Sequence, residues 1–260
     1  MKKIIIILAI LFLPRVLISQ DLTYWFPEEF EENIIPEKRI ALIIGNTNYN
    51  NDIWDLKNPV NDAKLISSTL TELDFEIIFK ENLNKSETED AIIDFKNKLT
   101  EYDFSIIYYA GHALQDQNGN SFLLPVDYSQ DLSFEKGAID ISGLLYFFEQ
   151  SDSPTLFILD ACRQIDNNGL NKPSVEDPLN VKLAYSTSYG KTASDNSNLD
   201  NTIYTSTLSK LFLKKGITIH DILKNTSKWV LKLSDLKQYP VNYFGIFVED
   251  IQLTKIIDEN

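Results

Sequence analysis

The chain has 260 residues, 43% of them hydrophobic, with 38 acidic against 24 basic side chains and a formal net charge of −14 at pH 7. The length fits one large α/β domain, or one domain plus a small addition, and the apolar content excludes disorder as the default state. The acidic balance works against nucleic acid and anionic membranes as partners and suits cationic substrates or metal ions better, although acidity alone also serves solubility.

The first twenty residues stand apart. Lys2 and Lys3 precede an unbroken apolar run over 4–13, which Pro14 and Arg15 end, and Ser19 stands before Gln20. This layout predicts a secretory signal peptide over 1–19 and an exported protein, periplasmic or extracellular. Leu17 occupies the place where cleavage prefers a small residue, so the alternative is an uncleaved N-terminal anchor. Removing the leader takes Lys2, Lys3 and Arg15 with it and moves the net charge from −14 to −17. Cys162 is the one cysteine. An exported chain with a single thiol makes no internal disulfide, so that thiol is either buried and inert or kept for chemistry.

Residues 20–37 read as an acidic, aromatic lead-in with Pro27 and Pro36. Residues 39–45 (RIALIIG) form a continuous apolar run, the pattern of a strand buried on both faces of a parallel sheet. The spacing of Ala63, Leu65, Ile66 and Leu70 predicts a helix over 60–73, followed by a strand over 75–79. Ser86 and Glu89 have capping-box spacing and open a helix to about Leu99. Residues 104–110 (FSIIYYA) read as a third buried strand stopped by Gly111 and His112, 121–126 as a short extended piece, 139–150 as a helix, and 155–159 as a fourth buried strand ended by Asp160 and Cys162. A long polar loop over 163–180, a fifth strand over 181–185, helices over 203–214 and 218–234, and a last strand over 243–248 complete the pattern. The alternation predicts an α/β fold, a mostly parallel sheet with helices on both faces. Ligands and chemistry in such sheets collect beyond the carboxyl ends of the strands, where His112 and Cys162 both fall.

A thiol needs a base to become a nucleophile at neutral pH. The chain has two histidines. His220, beside Asp221 at the start of a helical stretch, reads as a solvated first-turn residue. His112 follows a glycine at a strand end, where its ring can face a cleft. One cysteine and two histidines without CxxC or HxxxH spacing make no zinc site. There is no GxSxG elbow for a serine hydrolase, and no GxGxxG or Walker A loop to cradle a phosphate.

The caspase signature is Gln-Ala-Cys followed by Arg, Gln or Gly and then Gly, with a histidine about fifty residues upstream. Here Asp160-Ala161-Cys162-Arg163 stands 50 positions after His112. Together with residues 39–48, 56–63, 107–115, 121–127 and 158–163, this resembles bacterial caspase-like peptidases and, most closely in motifs, paracaspases, over roughly residues 38–250. The resemblance implies a caspase-like three-layer fold, with a catalytic domain over 38–252 and a tail over 253–260. It implies a Cys162–His112 dyad and an acyl-enzyme intermediate. It also implies an oxyanion hole from the backbone N–H groups of Cys162 and Ala113. The family usually has Gly where Ala113 stands; alanine resists positive φ, so a loop needing that conformation would distort the hole.

Caspases that cut after Asp carry Gln before Ala-Cys. Asp160 there instead repels an acidic substrate side chain and attracts Arg, or Lys as second choice. Matched by motif to paracaspases, an acidic pocket for the P1 residue falls on Asp62, Asp160 and Asp195. Asp62 also reads as a helix cap and Asp195 as an ordinary loop residue. Arg163, Lys172 and Lys182, in or beside the loop after Cys162, are candidate self-cleavage sites. The expected partner is a peptide or protein substrate with basic residues, with no nucleic acid, and a homodimer is compatible with the resemblance. No cofactor is called for. Some relatives in the wider family need calcium, but no EF-hand-like loop is present. The competing readings are a catalytically weak or inactive caspase-like binding module, another cysteine hydrolase acting on small amides, and a purely structural exported protein.

Overall fold

The computed structural model describes residues 34–116, 120–161, 164–165, 180–188, 200–243, 245, 248 and 250–254. In chain order the elements are β1 (Arg39–Gly45), α1 (Pro59–Thr71), β2 (Phe75–Glu81), α2 (Lys85–Lys98), β3 (Phe104–Gly111), β4 (Ala113–Gln115), β5 (Ser121–Leu123), α3 (Phe134–Gly137), β6 (Ile139–Asp140), α4 (Ile141–Glu149), β7 (Thr155–Ala161), β8 (Gln164–Ile165), β9 (Val181–Tyr185), α5 (Ile203–Phe212), α6 (Ile219–Leu233) and β10 (Val241–Tyr243). Six strands form the central sheet in the order β10-β9-β7-β3-β1-β2, and a second sheet runs β6-β5-β4-β8. All central pairings are parallel except β10 on β9.

The apolar runs explain the layering, because successive side chains of a strand point to opposite faces. Ala41, Ile43, Ile106, Tyr108, Leu156 and Ile158 pack with α1, α5 and α6 on one face. Ile40, Leu42, Ile107, Tyr109, Phe157 and Leu159 pack with α2 and α4 on the other. Strands buried on both faces have no polar alternation to show, which is the pattern of residues 39–45 and 104–110.

Several boundaries differ from the sequence reading, each for a local reason. The capping box of α2 sits two residues earlier than expected: Asn84 Oδ1 accepts the Glu87 N–H at 2.9 Å, and Glu87 accepts the Asn84 N–H at 2.9 Å. Ser86 and Glu89 copy that spacing from inside the helix. Residues 139–140 are a short strand before α4 rather than its first turn, because Asp140 caps α4 through the N–H groups of Ser142 and Gly143. The last described strand is Val241–Tyr243, antiparallel to β9; of the expected strand over 243–248, residues 244, 246 and 247 lie outside the described residues, and 245 and 248 are not in a strand.

Gly45 lets α1 approach the sheet. A Cβ there would lie 2.8 Å from the Pro59 carbonyl oxygen and 2.9 Å from Ala63 Cβ, so its absence allows the first turn of α1 to sit against the end of β1. Gly45→Ala forces these backbones apart and is expected to cost about 1–3 kcal/mol, as overpacking does. Urea unfolding reads it, and a wild-type midpoint would show that the contact is not tight.

Candidate active site

Strands β3 and β7 run side by side to their ends, where Gly111 stands opposite Ala161. Both chains then leave the central sheet and pair again in the second one, Leu114 opposite Gln164 and Gln115 opposite Ile165. The offset is 50 residues in both sheets. Between the two pairings the sequence has His112 and Ala113 on one chain and Cys162 and Arg163 on the other. Cys162, Arg163, Lys172 and Asp195 lie outside the described residues.

His112 is held on several sides. Its Nε2 lies 2.7 Å from the backbone oxygen of Trp54. A carbonyl only accepts, so Nε2 carries the hydrogen and Nδ1 keeps its lone pair in the neutral ring. The Tyr49 and Trp54 rings meet the imidazole edge-on at centroid distances of 4.8 and 5.6 Å. Burial holds the His112 pKa below the usual histidine value, and the Trp54 carbonyl opposes this in part. The ring is therefore a neutral base at neutral pH. The Trp54 carbonyl was invisible in the sequence, because any residue supplies one; only the loop conformation aims it.

Ala113 starts β4 and is not among the described non-glycine residues with positive φ, which are Asp74, Asn82, Asp235 and Leu236. Alanine thus fits this backbone without strain, and the ground for a distorted hole falls away.

Asp62 and Asp160 come together. Asp62 sits in the first turn of α1, 1% exposed, and Asp160 near the end of β7, 6% exposed. Thr202, the N-cap of α5, bridges them. Its backbone N–H donates to Asp62 Oδ1 at 2.9 Å, and its hydroxyl donates to Asp160 Oδ2 at 2.6 Å. Asn201 donates a second bond to Asp62 Oδ1 at 3.0 Å, and the Thr205 hydroxyl a second to Asp160 Oδ2 at 2.7 Å. With the Thr205 proton so committed, Tyr108 donates to Thr205 at 2.6 Å. Asp62 is no helix cap: its carboxylate reaches across to α5.

The other oxygens, Asp62 Oδ2 and Asp160 Oδ1, are buried and have no hydrogen-bond partner, and no cation pairs with either carboxylate among the described residues. Burial raises the Asp160 pKa, against the hydrogen bonds from Thr202 and Thr205. Burial, and next the charge of Asp160, push Asp62 up to about 8. Each carboxyl of this bridged pair thus keeps one buried acceptor oxygen without a donor, a costly arrangement that a hydrogen-bonding cation would relieve. Thr202, Thr205 and Asn201 escaped the sequence reading; the Thr-x-x-Thr spacing at the start of the predicted helix was the available signal.

Residues 38–249 match the caspase domain family. The chain belongs to that family. This caspase-domain chain is 28% identical to human mucosa-associated lymphoid tissue lymphoma translocation protein 1 over 199 residues, 74% of this chain and 24% of the human protein. It is 27% identical to the paracaspase of Dictyostelium discoideum over 218 residues, 80% of this chain and 50% of that protein. It thus spans a quarter to a half of the length of the relatives it matches, and within the family it is paracaspase-like. The α/β sheet with helices on both faces is the caspase-like fold the motifs imply.

The caspase domain also corrects one expectation. Lys182 is the second residue of β9, paired with Leu156 of β7 and 0% exposed. A bond inside a central strand cannot enter a protease cleft without unfolding the sheet, so Lys182 is removed from the candidate self-cleavage sites. His220 lies in the first turn of α6, as its place beside Asp221 suggests.

Proposed function

We propose that this caspase-domain protein is an exported cysteine endopeptidase that cuts after arginine, with Cys162 as nucleophile and His112 as general base. The observation that carries the dyad is the common offset of 50 residues on both sides of it. A constant register brings the chain back to the same partner after the gap, which supports Cys162 standing across from His112. Arginine as the P1 side chain is supported by the bridged carboxylates of Asp62 and Asp160.

In the chemistry proposed, His112 Nδ1 takes the thiol proton, and the thiolate attacks the scissile carbonyl carbon. Charge collects on the carbonyl oxygen, where the N–H groups of Ala113 and Cys162 receive it. The imidazolium, its Nε2–H held by Trp54, gives its proton to the leaving amine as the C–N bond breaks. Water, deprotonated by the same ring, then hydrolyses the thioester. Asp195 is the proposed third carboxylate of the pocket, and Arg163 and Lys172 are the remaining proposed self-cleavage sites.

The test is cleavage of matched fluorogenic peptides ending in Arg, Lys or Asp by residues 20–260, beside Cys162→Ala. Cleavage after Arg, weaker after Lys and absent in the variant, is the expected result. Preference for Asp would keep the dyad and overturn the pocket; equal turnover by Cys162→Ala would overturn the dyad. Self-cleavage has a separate test: Cys162→Ala purifying as two fragments would exclude it.

The pocket has a pH signature. An arginine-like cation needs Asp62 ionised, and Asp62 titrates at about 8 when the site is empty. The inhibition constant of benzamidine should therefore fall as pH rises from 6 to 9, because burial raises both Asp62 and Asp160 and each must lose its proton to meet the cation. A flat profile from pH 6 to 9 would mean that Asp62 does not meet the cation.

A further inference from the structure

The loop between β1 and α1 contributes more than the Trp54 carbonyl. Tyr49, on the same loop, is buried, and its hydroxyl accepts the backbone N–H of His112 at 2.8 Å and donates to the Leu124 oxygen at 3.4 Å. From the adjoining strand, the Tyr109 hydroxyl shares its proton between the oxygens of His112 and Leu124, both at 2.9 Å. Two phenols thus grip the two ends of the His112 residue, its N–H and its C=O. They come so close that a Cβ on Gly111 would meet Tyr109 Oη at 2.7 Å and Tyr49 Oη at 2.9 Å. Glycine at 111 is required by that approach.

Tyr49 and Trp54 are themselves locked together. The Tyr49 N–H donates to Asp55 Oδ1 at 2.7 Å, the residue directly after the carbonyl that holds the ring. Around this staple, Asn82 Oδ1 accepts the N–H groups of Thr47 and Asn48 at 2.9 Å, and Leu56 N–H bonds Thr47 O at 3.0 Å. The loop therefore meets the histidine at two points, backbone and ring, and Asp55 fixes the distance between them.

We infer that Tyr49 and Asp55 are positioning residues for the dyad: Tyr49 sets the backbone of His112 while Trp54 sets its ring, and Asp55 holds the two grips in register. This role rests on the proposed Cys162–His112 dyad. Neither side chain needs to touch substrate. Their effect is on the direction of Nδ1 and of the next N–H in the chain, that of Ala113. A hydrogen bond lost here turns the peptide by a few tenths of an ångström, which proton transfer feels strongly and binding of arginine, at the other carboxylate-lined end, does not.

The experiment uses residues 20–260 with Tyr49→Phe, which keeps the ring and removes the hydroxyl, and the pair Asp55→Asn and Asp55→Ala. The measurements are kcat and KM on an arginine peptide, and the pH profile of Cys162 alkylation by iodoacetamide. Tyr49→Phe should lower kcat about tenfold or more, leave KM within about twofold, and displace the acid limb of alkylation. Asp55→Asn, which keeps the accepting oxygen, should retain activity that Asp55→Ala loses. A Tyr49→Phe enzyme with wild-type kcat and alkylation profile overturns the role of Tyr49. If that variant does not fold, equal activities of Asp55→Asn and Asp55→Ala overturn the staple. A wild-type alkylation profile that His112→Ala leaves unchanged overturns the dyad itself, and this role with it.

Discussion

Asp62→Asn should make the protein more stable and nearly unable to cut after arginine. The carboxylate is 1% exposed and lacks a counter-charge among the described residues, and its pKa stands at about 8 against 3.8 for an unperturbed group. The sign follows from proton binding. Between pH 3.8 and 8 the unfolded chain has released the proton that the folded chain still holds, so stability is full below 3.8 and falls as pH rises. At pH 7 the penalty has a ceiling of about 4 kcal/mol, from 1.36 kcal/mol per unit. Asparagine keeps Oδ1 for the bonds from Thr202 and Asn201 and removes the buried charge. The melting temperature of the variant should exceed wild type by several degrees at pH 7–8 and by little near pH 4. Its kcat/KM for arginine peptides should drop about 100-fold or more, a fraction of the worth of a buried charge pair. Equal melting temperatures at pH 8 would mean that the carboxylate carries no such penalty. An active Asp62→Asn enzyme would remove Asp62 from the pocket.

His112→Ala should cost about 10²–10⁴-fold in kcat at pH 7, the range for a general base. The wild-type profile distinguishes this base from any other. Read at saturating substrate, so that the Asp62 titration drops out, the acid limb of kcat should lie below the ordinary histidine value of 6.5, because burial disfavours the imidazolium. The same shift bears on stability: with the folded pKa depressed, the contribution of His112 is whole above 6.5 and lost as pH falls through the folded value. An acid limb at or above 6.5, or His112→Ala turning over at the wild-type rate, would exclude His112 as the base. Measuring kcat of both proteins from pH 5 to 9 decides it.

The sheet was legible because strands such as RIALIIG and FSIIYYA are apolar throughout, and length and flanking glycine separate them from helices. The places of His112 and Asp160 could be read for the same reason: His112 directly follows β3, and Asp160 is the last residue but one of β7, a residue inside the strand the sequence reading had ended at 159. Of the second sheet only β5 was read, within the extended piece over 121–126; β4, β6 and β8, strands of two and three residues, carry no periodicity to detect. The small strands set the register around the proposed dyad, so the pairing of the segment after His112 with residues 164–165 was not readable from local pattern. The Trp54 carbonyl and the Thr202 bridge were hidden for another reason. One is a backbone atom and the other depends on α5 meeting α1, a contact between residues about 140 apart. Lys182 was read correctly as part of the strand over 181–185; hidden in the sequence was that this strand is flanked on both sides in the central sheet, which buries the lysine completely.

The two pairings that bracket the proposed dyad are of unequal strength. Strands β3 and β7 share seven paired positions in the middle of a six-stranded sheet, whereas β4 and β8 share two at a margin. If Cys162 and His112 form the proposed dyad, its alignment rests on the lesser of the two pairings, and undoing two backbone pairs would part the two segments while leaving both hydrophobic layers whole. Amide exchange should show it, with Gln164 and Ile165 trading their hydrogens long before any residue of β7 does.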